Sequence, residues 1–248
     1  MARENSTPLV LLHGVGLDRS MWGAFREEYA RLSARETIAL DLPGHGSQPP
    51  WRGEADLAVF ADDVAARLPR VCHLVGFSLG ALIAQTLAVH RPDRVASLTS
   101  VSSVCRRNEF ERASVAARRE QAIADFPAAA AASIDRWYPA GTGVDDAVVD
   151  ATRRVLLAND VESFLAAYGV FATGDAEIGP DLGRIGQPAL NVTGELDPGS
   201  TPEMTRRLTA AIPGARAVVV PGARHMLPVQ CPRALAETIH RFIDESST

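Results

Sequence analysis

The chain has 248 residues, 46% of them apolar and 22% charged, with a formal net charge of −5. That is the size and balance of one large globular domain, or of one domain carrying an insertion. No basic block is present, which argues against a nucleic-acid or anionic-membrane partner, and no apolar run approaches the roughly 18 residues that span a bilayer.

The first eight residues, M-A-R-E-N-S-T-P, lack the apolar core of a secretory signal, so a cytoplasmic protein is expected. Three cysteines, Cys72, Cys105 and Cys231, are odd in number and far apart, which suggests neither a disulfide framework nor a metal site. All 25 basic residues are arginine. The absence of lysine excludes a Schiff-base lysine, a P-loop lysine and a lysine acid/base. No metal or cofactor is expected, and the partner is expected to be a small-molecule substrate. The chain is expected to be a monomer or a homodimer.

In chain order, Leu9 to Leu12 is a short apolar strand that runs into the Gly-rich turn His13-Gly14-Val15-Gly16. Asp18 to Arg31 has helical spacing, with Trp22, Phe25 and Tyr29 on one face. Thr37 to Leu40 is a second strand, followed by the sharp turn Asp41-Leu42-Pro43-Gly44-His45-Gly46-Ser47. Leu57 to Leu68 is a helix with Leu57, Phe60, Val64 and Leu68 inward. Val71 to Val75 is the third strand, Ala81 to Val89 a helix, and Val95 to Val101 the fourth strand.

From Cys105 to Ile185 the rhythm breaks. Ala- and Arg-rich helical segments follow one another (Glu111 to Ala124, Ala128 to Trp137, Asp145 to Leu157, Val161 to Phe171), punctuated by Gly141, Gly143 and Gly174. Alternation resumes with a strand at Ala189 to Val192, a helix at Thr205 to Ala211, a strand at Ala217 to Val220 and a helix at Leu235 to Ile243. Strands alternating with helices predict a parallel sheet covered on both faces, with ligands beyond the carboxyl ends of the strands. The predicted organisation is a core of residues 1–104 and 186–248, interrupted by a helical insertion over 105–185.

Gly76-Phe77-Ser78-Leu79-Gly80 joins the third strand to the helix after it. A G-x-S-x-G pattern between strand and helix is a nucleophile elbow, a strained turn that presents a serine hydroxyl clear of the sheet. The glycines let strand and helix approach closely, and the helix N-terminus aims N–H groups at developing negative charge. A serine nucleophile needs a base, and the base an orienting carboxylate. After the fifth strand comes Gly194-Glu195-Leu196-Asp197-Pro198, and after the sixth Pro221-Gly222-Ala223-Arg224-His225. Ser78, Asp197 and His225 are therefore the expected catalytic residues, with Glu195 as competitor for the acid. The loop after the fourth strand offers no carboxylate. The oxyanion is expected on the N–H groups of Leu79 and Val15. His13 and His45 are expected to hold their turns rather than to react.

With these residues placed, the chain resembles the α/β-hydrolase superfamily through H-G-V-G, D-L-P-G-H-G-S, G-F-S-L-G, G-E-L-D-P and R-H-M-L-P. Within it the chain looks most like 3-oxoadipate enol-lactonases and related small carboxylesterases, through D-R-S-M-W, R-W-Y, V-L-L-A-N-D, Y-G-V-F-A and G-E-L-D-P-G-S-T-P. The resemblance implies an α/β-hydrolase fold whose residues 105–185 are a helical cap, with Trp137 and its neighbours shaping the pocket. Members usually carry a β-hairpin before the first strand found here. The eight residues before Leu9 are too few for it, so about six parallel strands in the order 2-1-3-4-5-6 are expected. Many enol-lactonases lack the histidine of H-G-x-G, so His13 leans toward the wider esterase group.

The function this implies is hydrolysis of a small ester or lactone through an acyl-enzyme. Dehalogenases and epoxide hydrolases need a carboxylate where Ser78 stands, and hydroxynitrile lyases of this superfamily need a lysine. Carbon–carbon bond hydrolases typically carry an Asn shortly after the oxyanion turn, where this chain has Leu17-Asp18-Arg19-Ser20. Small-amide hydrolysis stays open, as does a ligand receptor with a vestigial triad. Of the arginines between Glu111 and Arg154, most are expected to face solvent. Arg136, flanked by Trp137 and Tyr138, is the one expected to bind a substrate carboxylate.

Overall fold

In a computed structural model of the chain, which describes residues 7–246, the alternating segments form one sheet. The stretch read for a secretory signal lies largely outside the described residues. Six strands, β1 (Leu9–Leu12), β2 (Thr37–Leu40), β3 (Cys72–Phe77), β4 (Val95–Val101), β5 (Ala189–Gly194) and β6 (Arg216–Val220), pair in the order β2-β1-β3-β4-β5-β6. All five pairings are parallel. Strand periodicity decides what each face receives. Leu9 and Leu11 of β1 point toward α1 (Gly23–Leu32) and α10 (Pro232–Ser246), where Trp22, Phe25, Tyr29, Leu235 and Ile239 pack. Val10 and Leu12 point the other way, toward α2 (Leu57–Arg67), α3 (Leu79–His90) and α8 (Pro202–Ala211). All four residues of β1 are buried, as expected for a central strand covered on both faces. Among the described residues, no single helix is long and apolar enough to cross a membrane.

Between β4 and β5 stand four helices, α4 (Glu109–Ala124), α5 (Phe126–Trp137), α6 (Asp146–Leu157) and α7 (Val161–Ile178), and no strand among the described residues. A capping box opens α4, in which Asn108 and Glu111 satisfy each other's backbone N–H groups. Arg107, just before α4, is tied to α7 by a buried ion pair with Asp175 at 3.0 Å. Its guanidinium also donates to the carbonyls of Phe171 and Ala172 and lies over the Phe171 ring. Such a pair is costly to break on one side, because the remaining charge stays buried.

Several element ends depart from the sequence reading, for identifiable reasons. Helices α5 and α8 begin two or three residues earlier than predicted, at Phe126-Pro127 and Pro202. Proline lacks only an N–H that the first turn leaves unpaired anyway, so it opens a helix rather than delaying it. Gly174 was expected to end a helix, yet it lies inside α7, where a Cβ would sit 3.1 Å from Leu82; there it serves close packing. A short helix, α9 (Leu227–Gln230), was not predicted, and the helical stretch read over Asp18–Arg31 divides into a 3₁₀ turn at Arg19–Trp22 and α1.

The tightest packing in the fold surrounds the G-x-S-x-G turn. A Cβ on Gly76 would lie 2.1 Å from the Gly80 carbonyl oxygen, and one on Gly80 would lie 2.5 Å from the His13 oxygen and 2.6 Å from that of Leu12. Backbone cannot yield as a flexible side chain does. Gly80→Ala is therefore expected to cost on the order of 3 kcal/mol or more. Gly186→Ala, whose added methyl meets nothing within 4 Å, is the comparator and should be nearly neutral. Urea unfolding midpoints check this, and equal midpoints for the two variants would contradict the close approach.

Candidate active site

Ser78 occupies the turn between β3 and α3 with φ 55° and ψ −112°, left-handed backbone that a non-glycine residue adopts only under constraint. Its N–H donates to Val101 of β4 and its carbonyl accepts from Ala81, so the turn is held from both sides. The strain aims the side chain out of the sheet into a cavity, whose wall includes Gly14, Val15, Ser78, Asp197 and His225.

Asp197 follows β5 and His225 follows β6. The two loops are packed together: a Cβ on Gly194 would lie 2.3 Å from the Ala223 oxygen, and Leu196 N–H donates to that same oxygen at 2.8 Å. Asp197 Oδ2 accepts from His225 Nδ1 at 2.8 Å, while its Oδ1 accepts the N–H groups of Gly199 and Ser200, both at 2.9 Å. With Nδ1 donating to the carboxylate, Nε2 is left as the basic nitrogen. Glu195 is exposed and its Oε2 accepts the Gly222 N–H, so it takes no part in the cavity. The His225 ring lies between Phe77, at 5.0 Å between centroids, and Trp137, at 6.1 Å and 23° from parallel. Ser102, buried in left-handed backbone after β4, donates its hydroxyl to the His225 carbonyl. Among the described residues no hydrogen bond joins Ser78 to His225, although both face the cavity.

The turn after β1 is fixed by two histidines in a reciprocal arrangement. His13 Nε2 accepts the Leu42 N–H at 2.8 Å, and His45 Nε2 accepts the Gly16 N–H at 3.0 Å. Both rings are buried. Burial, then the neighbouring His45, pushes His13 down to about 3, and burial also lowers His45. Both therefore stay neutral acceptors. From the other side, Asn159 Nδ2 donates to the Gly16 carbonyl at 2.8 Å. The N–H groups of Val15 and Leu79 make no hydrogen bond among the described residues. Leu79 is the first residue of α3, where helical geometry leaves the N–H unpaired.

The remaining wall comes from the four inserted helices: Arg118 of α4, Arg136 and Trp137 of α5, Leu156 of α6, and Phe164 and Tyr168 of α7. The thiols of Cys72 and Cys105 are pushed up to about 12 and about 11 by burial, which removes both as nucleophiles.

Residues 9–238 match the model of the Alpha/beta hydrolase family. The chain belongs to that family. Among curated relatives, the (E)-2-((N-methylformamido)methylene)succinate hydrolase of Acinetobacter baylyi is 28% identical over 242 residues, covering 96% of this chain and 90% of the relative. The pimeloyl-[acyl-carrier protein] methyl ester esterase of Aeromonas hydrophila is 31% identical over 248 residues, covering 95% and 94%. Among solved structures, the enol-lactonase of Burkholderia xenovorans superposes with a TM-score of 0.85 at 26% identity, covering 98% of this chain and 93% of that one. The six-stranded parallel sheet of this alpha/beta hydrolase has the order expected from sequence.

Four residues at the site escaped the sequence reading. Arg118 was grouped with arginines expected to face solvent, yet it is half-buried in the cavity wall. Its signal was its phase: Val115, Arg118 and Ala122 share one helical stripe, and both neighbours on that stripe are buried. Tyr168 lies on the continuation of the Phe164 stripe of α7 and carries the same kind of signal. Asn159 and Ser102 reach across chain separations of 143 and 123 residues, and nothing local marks them.

Proposed function

We propose that this alpha/beta hydrolase is a serine hydrolase that cleaves a small ester or lactone through an acyl-enzyme. The observation that carries the reading is the Asp197–His225 contact on the same cavity wall as the strained Ser78 turn. His225 Nε2 takes the Ser78 proton as Oγ attacks the carbonyl carbon. The oxyanion accepts from Leu79 and Val15 N–H, and Asp197 stabilises the imidazolium. His225 then protonates the departing oxygen. Water, deprotonated by the same ring, attacks the acyl group and frees Ser78. The chemistry needs no metal or cofactor. Residues 105–185 act as a cap, with Trp137 stacked on the catalytic ring and shielding it from water. The free thiols Cys72, Cys105 and Cys231 fit a reducing, cytoplasmic setting. The esterase and enol-lactonase among the relatives support ester or lactone cleavage. Small-amide or carbon–carbon bond hydrolysis would use the same side chains. A panel of p-nitrophenyl esters, lactones and small amides tests the reading. Turnover of at least one ester or lactone is expected, and slow turnover of every compound would favour a ligand receptor.

The clamps on Gly16 give this reading a further consequence. His45→Ala frees the Gly16 N–H and Asn159→Ala frees the Gly16 carbonyl, so the adjoining Val15 N–H should lose its aim. Each is expected to lower kcat about 10- to 100-fold with little change in KM, since the oxyanion donor acts mainly in the transition state. Steady-state kinetics separate the terms; a rise in KM alone would mean that the turn shapes binding instead.

A further inference from the structure

Two arginines reach the cavity with only neutral partners. Arg118 Nε donates to the Tyr168 hydroxyl at 3.2 Å and its Nη1 to Ser114 Oγ at 3.3 Å. Arg136 donates to Ser133 Oγ at 3.0 Å and to the Ala132 carbonyl at 3.3 Å. Among the described residues neither makes an ion pair, although both are half-buried and stand beside Trp137, Phe164 and Phe171 in the cavity wall. Burial, and then the neighbouring Arg118 charge, lowers Arg136 below the usual arginine range. Arginine does not lose its proton at working pH, so two like charges are held in an apolar-walled space.

Among the described residues Asp197 is the one carboxylate in that wall, and both its oxygens are engaged by His225, Gly199 and Ser200. The cavity wall therefore sets two guanidinium charges against one carboxylate, an excess of one positive charge among these groups. A buried charge without a counterion is expensive, and an incoming anion supplies the counterion. A guanidinium fork matches a carboxylate through two parallel N–H donors, and aromatic walls strengthen the contact by excluding water. One carboxylate brings the cavity to neutrality. A phosphate dianion would overshoot it, next to the place where the oxyanion forms.

We infer that Arg118 and Arg136 form an anion subsite that holds a free carboxylate of the substrate, which makes the preferred substrate a half-ester or lactone of a short dicarboxylic acid. This deepens the hydrolase reading and rests on it, except that the anion subsite itself can be tested without turnover.

The kinetic test compares 4-nitrophenyl monoesters of succinic and glutaric acid with the neutral 4-nitrophenyl butyrate and valerate. The wild-type chain should prefer the acidic member of each pair by kcat/KM. In Arg118→Gln and in Arg136→Gln that acidic-over-neutral ratio should fall roughly 10- to 100-fold, chiefly through KM. The lysine variants, which keep charge but lose the fork, should fall less. Arg119→Gln, on the same helix but outside the cavity wall, should keep the wild-type ratio. An unchanged ratio in both cavity variants overturns the inference.

The equilibrium test titrates glutarate, and separately inorganic phosphate, into Ser78→Ala by calorimetry. Glutarate should bind more tightly than phosphate, and adding Arg118→Gln or Arg136→Gln should weaken it by a similar factor. Absent glutarate binding, or tighter phosphate binding, overturns the carboxylate assignment. If glutarate binds through both arginines while no ester is turned over, the anion subsite stands and the hydrolase reading falls. If esters are turned over with no acidic preference, the reverse holds.

Discussion

Replacing Ser78 by alanine is expected to lower kcat/KM on any ester the protein cleaves by about 10⁴-fold or more, because nucleophile, base and acid work as one unit. The fold should survive the change. Alanine keeps the Cβ that the turn already accommodates, and Ser78 holds the elbow through its backbone groups, its N–H donating to Val101 and its carbonyl accepting from Ala81. The strain of the left-handed turn is likewise unchanged. Thermal midpoints of the two proteins should therefore agree within a few degrees while activity is lost. Residual rate above water would come from the Leu79 and Val15 N–H groups and from binding. A variant that kept substantial esterase activity would show that another group attacks the carbonyl.

The second large effect is expected at the acid. Asp197→Asn should slow turnover by roughly 10³- to 10⁴-fold. The reason lies in how the carboxylate is held. Oδ1 accepts two backbone N–H groups, from Gly199 and Ser200, and Oδ2 accepts from His225 Nδ1. An asparagine must keep its oxygen toward the two N–H donors, so its amide nitrogen meets His225. Two donors cannot face each other. The ring then takes the tautomer with Nδ1 bare and Nε2 protonated, and it can no longer accept the Ser78 proton. Glu195→Gln is expected to do little, because Glu195 is exposed and the amide still offers an oxygen to the Gly222 N–H. The measurement is kcat for the two variants on one substrate. The reverse pattern would put the acid two residues earlier, and mild effects from both would point to a Ser–His dyad.

Much of this architecture was legible because its signals are local. The strands β1, β2 and β4 end where predicted, each bounded by turn-forming or charged residues; parallel pairing follows from helices alternating with strands, whereas the strand order was expected only from the family resemblance. The elbow was legible for the same reason: an added Cβ at 76 or 80 would lie 2.1–2.6 Å from backbone oxygens, so both positions require glycine, and that requirement is written in two letters. Boundaries failed where a residue has two meanings. Proline opens α5 and α8 but reads as a breaker, and Gly174 serves close packing inside α7 but reads as a stop. The cavity wall was the least legible part. Arg118 and Arg119 are adjacent and alike in sequence, yet only Arg118 lines the cavity, and that choice is made by the packing of α4 against its neighbours. The Asn159 contact with Gly16 depends on a fold that brings residues 143 apart together.

The central claim is that Ser78 becomes covalently acylated, and its most direct measurement is a mass-spectrometric map of the protein after reaction with a fluorophosphonate. Trypsin should release Ser78 in the peptide Val71–Arg94, since the Arg91–Pro92 bond resists cleavage. The expected result is a single adduct on that peptide, at Ser78, formed more slowly in Asp197→Asn and absent in Ser78→Ala. An adduct on a different residue, or sustained ester hydrolysis by a protein that the reagent leaves unlabelled, would contradict it.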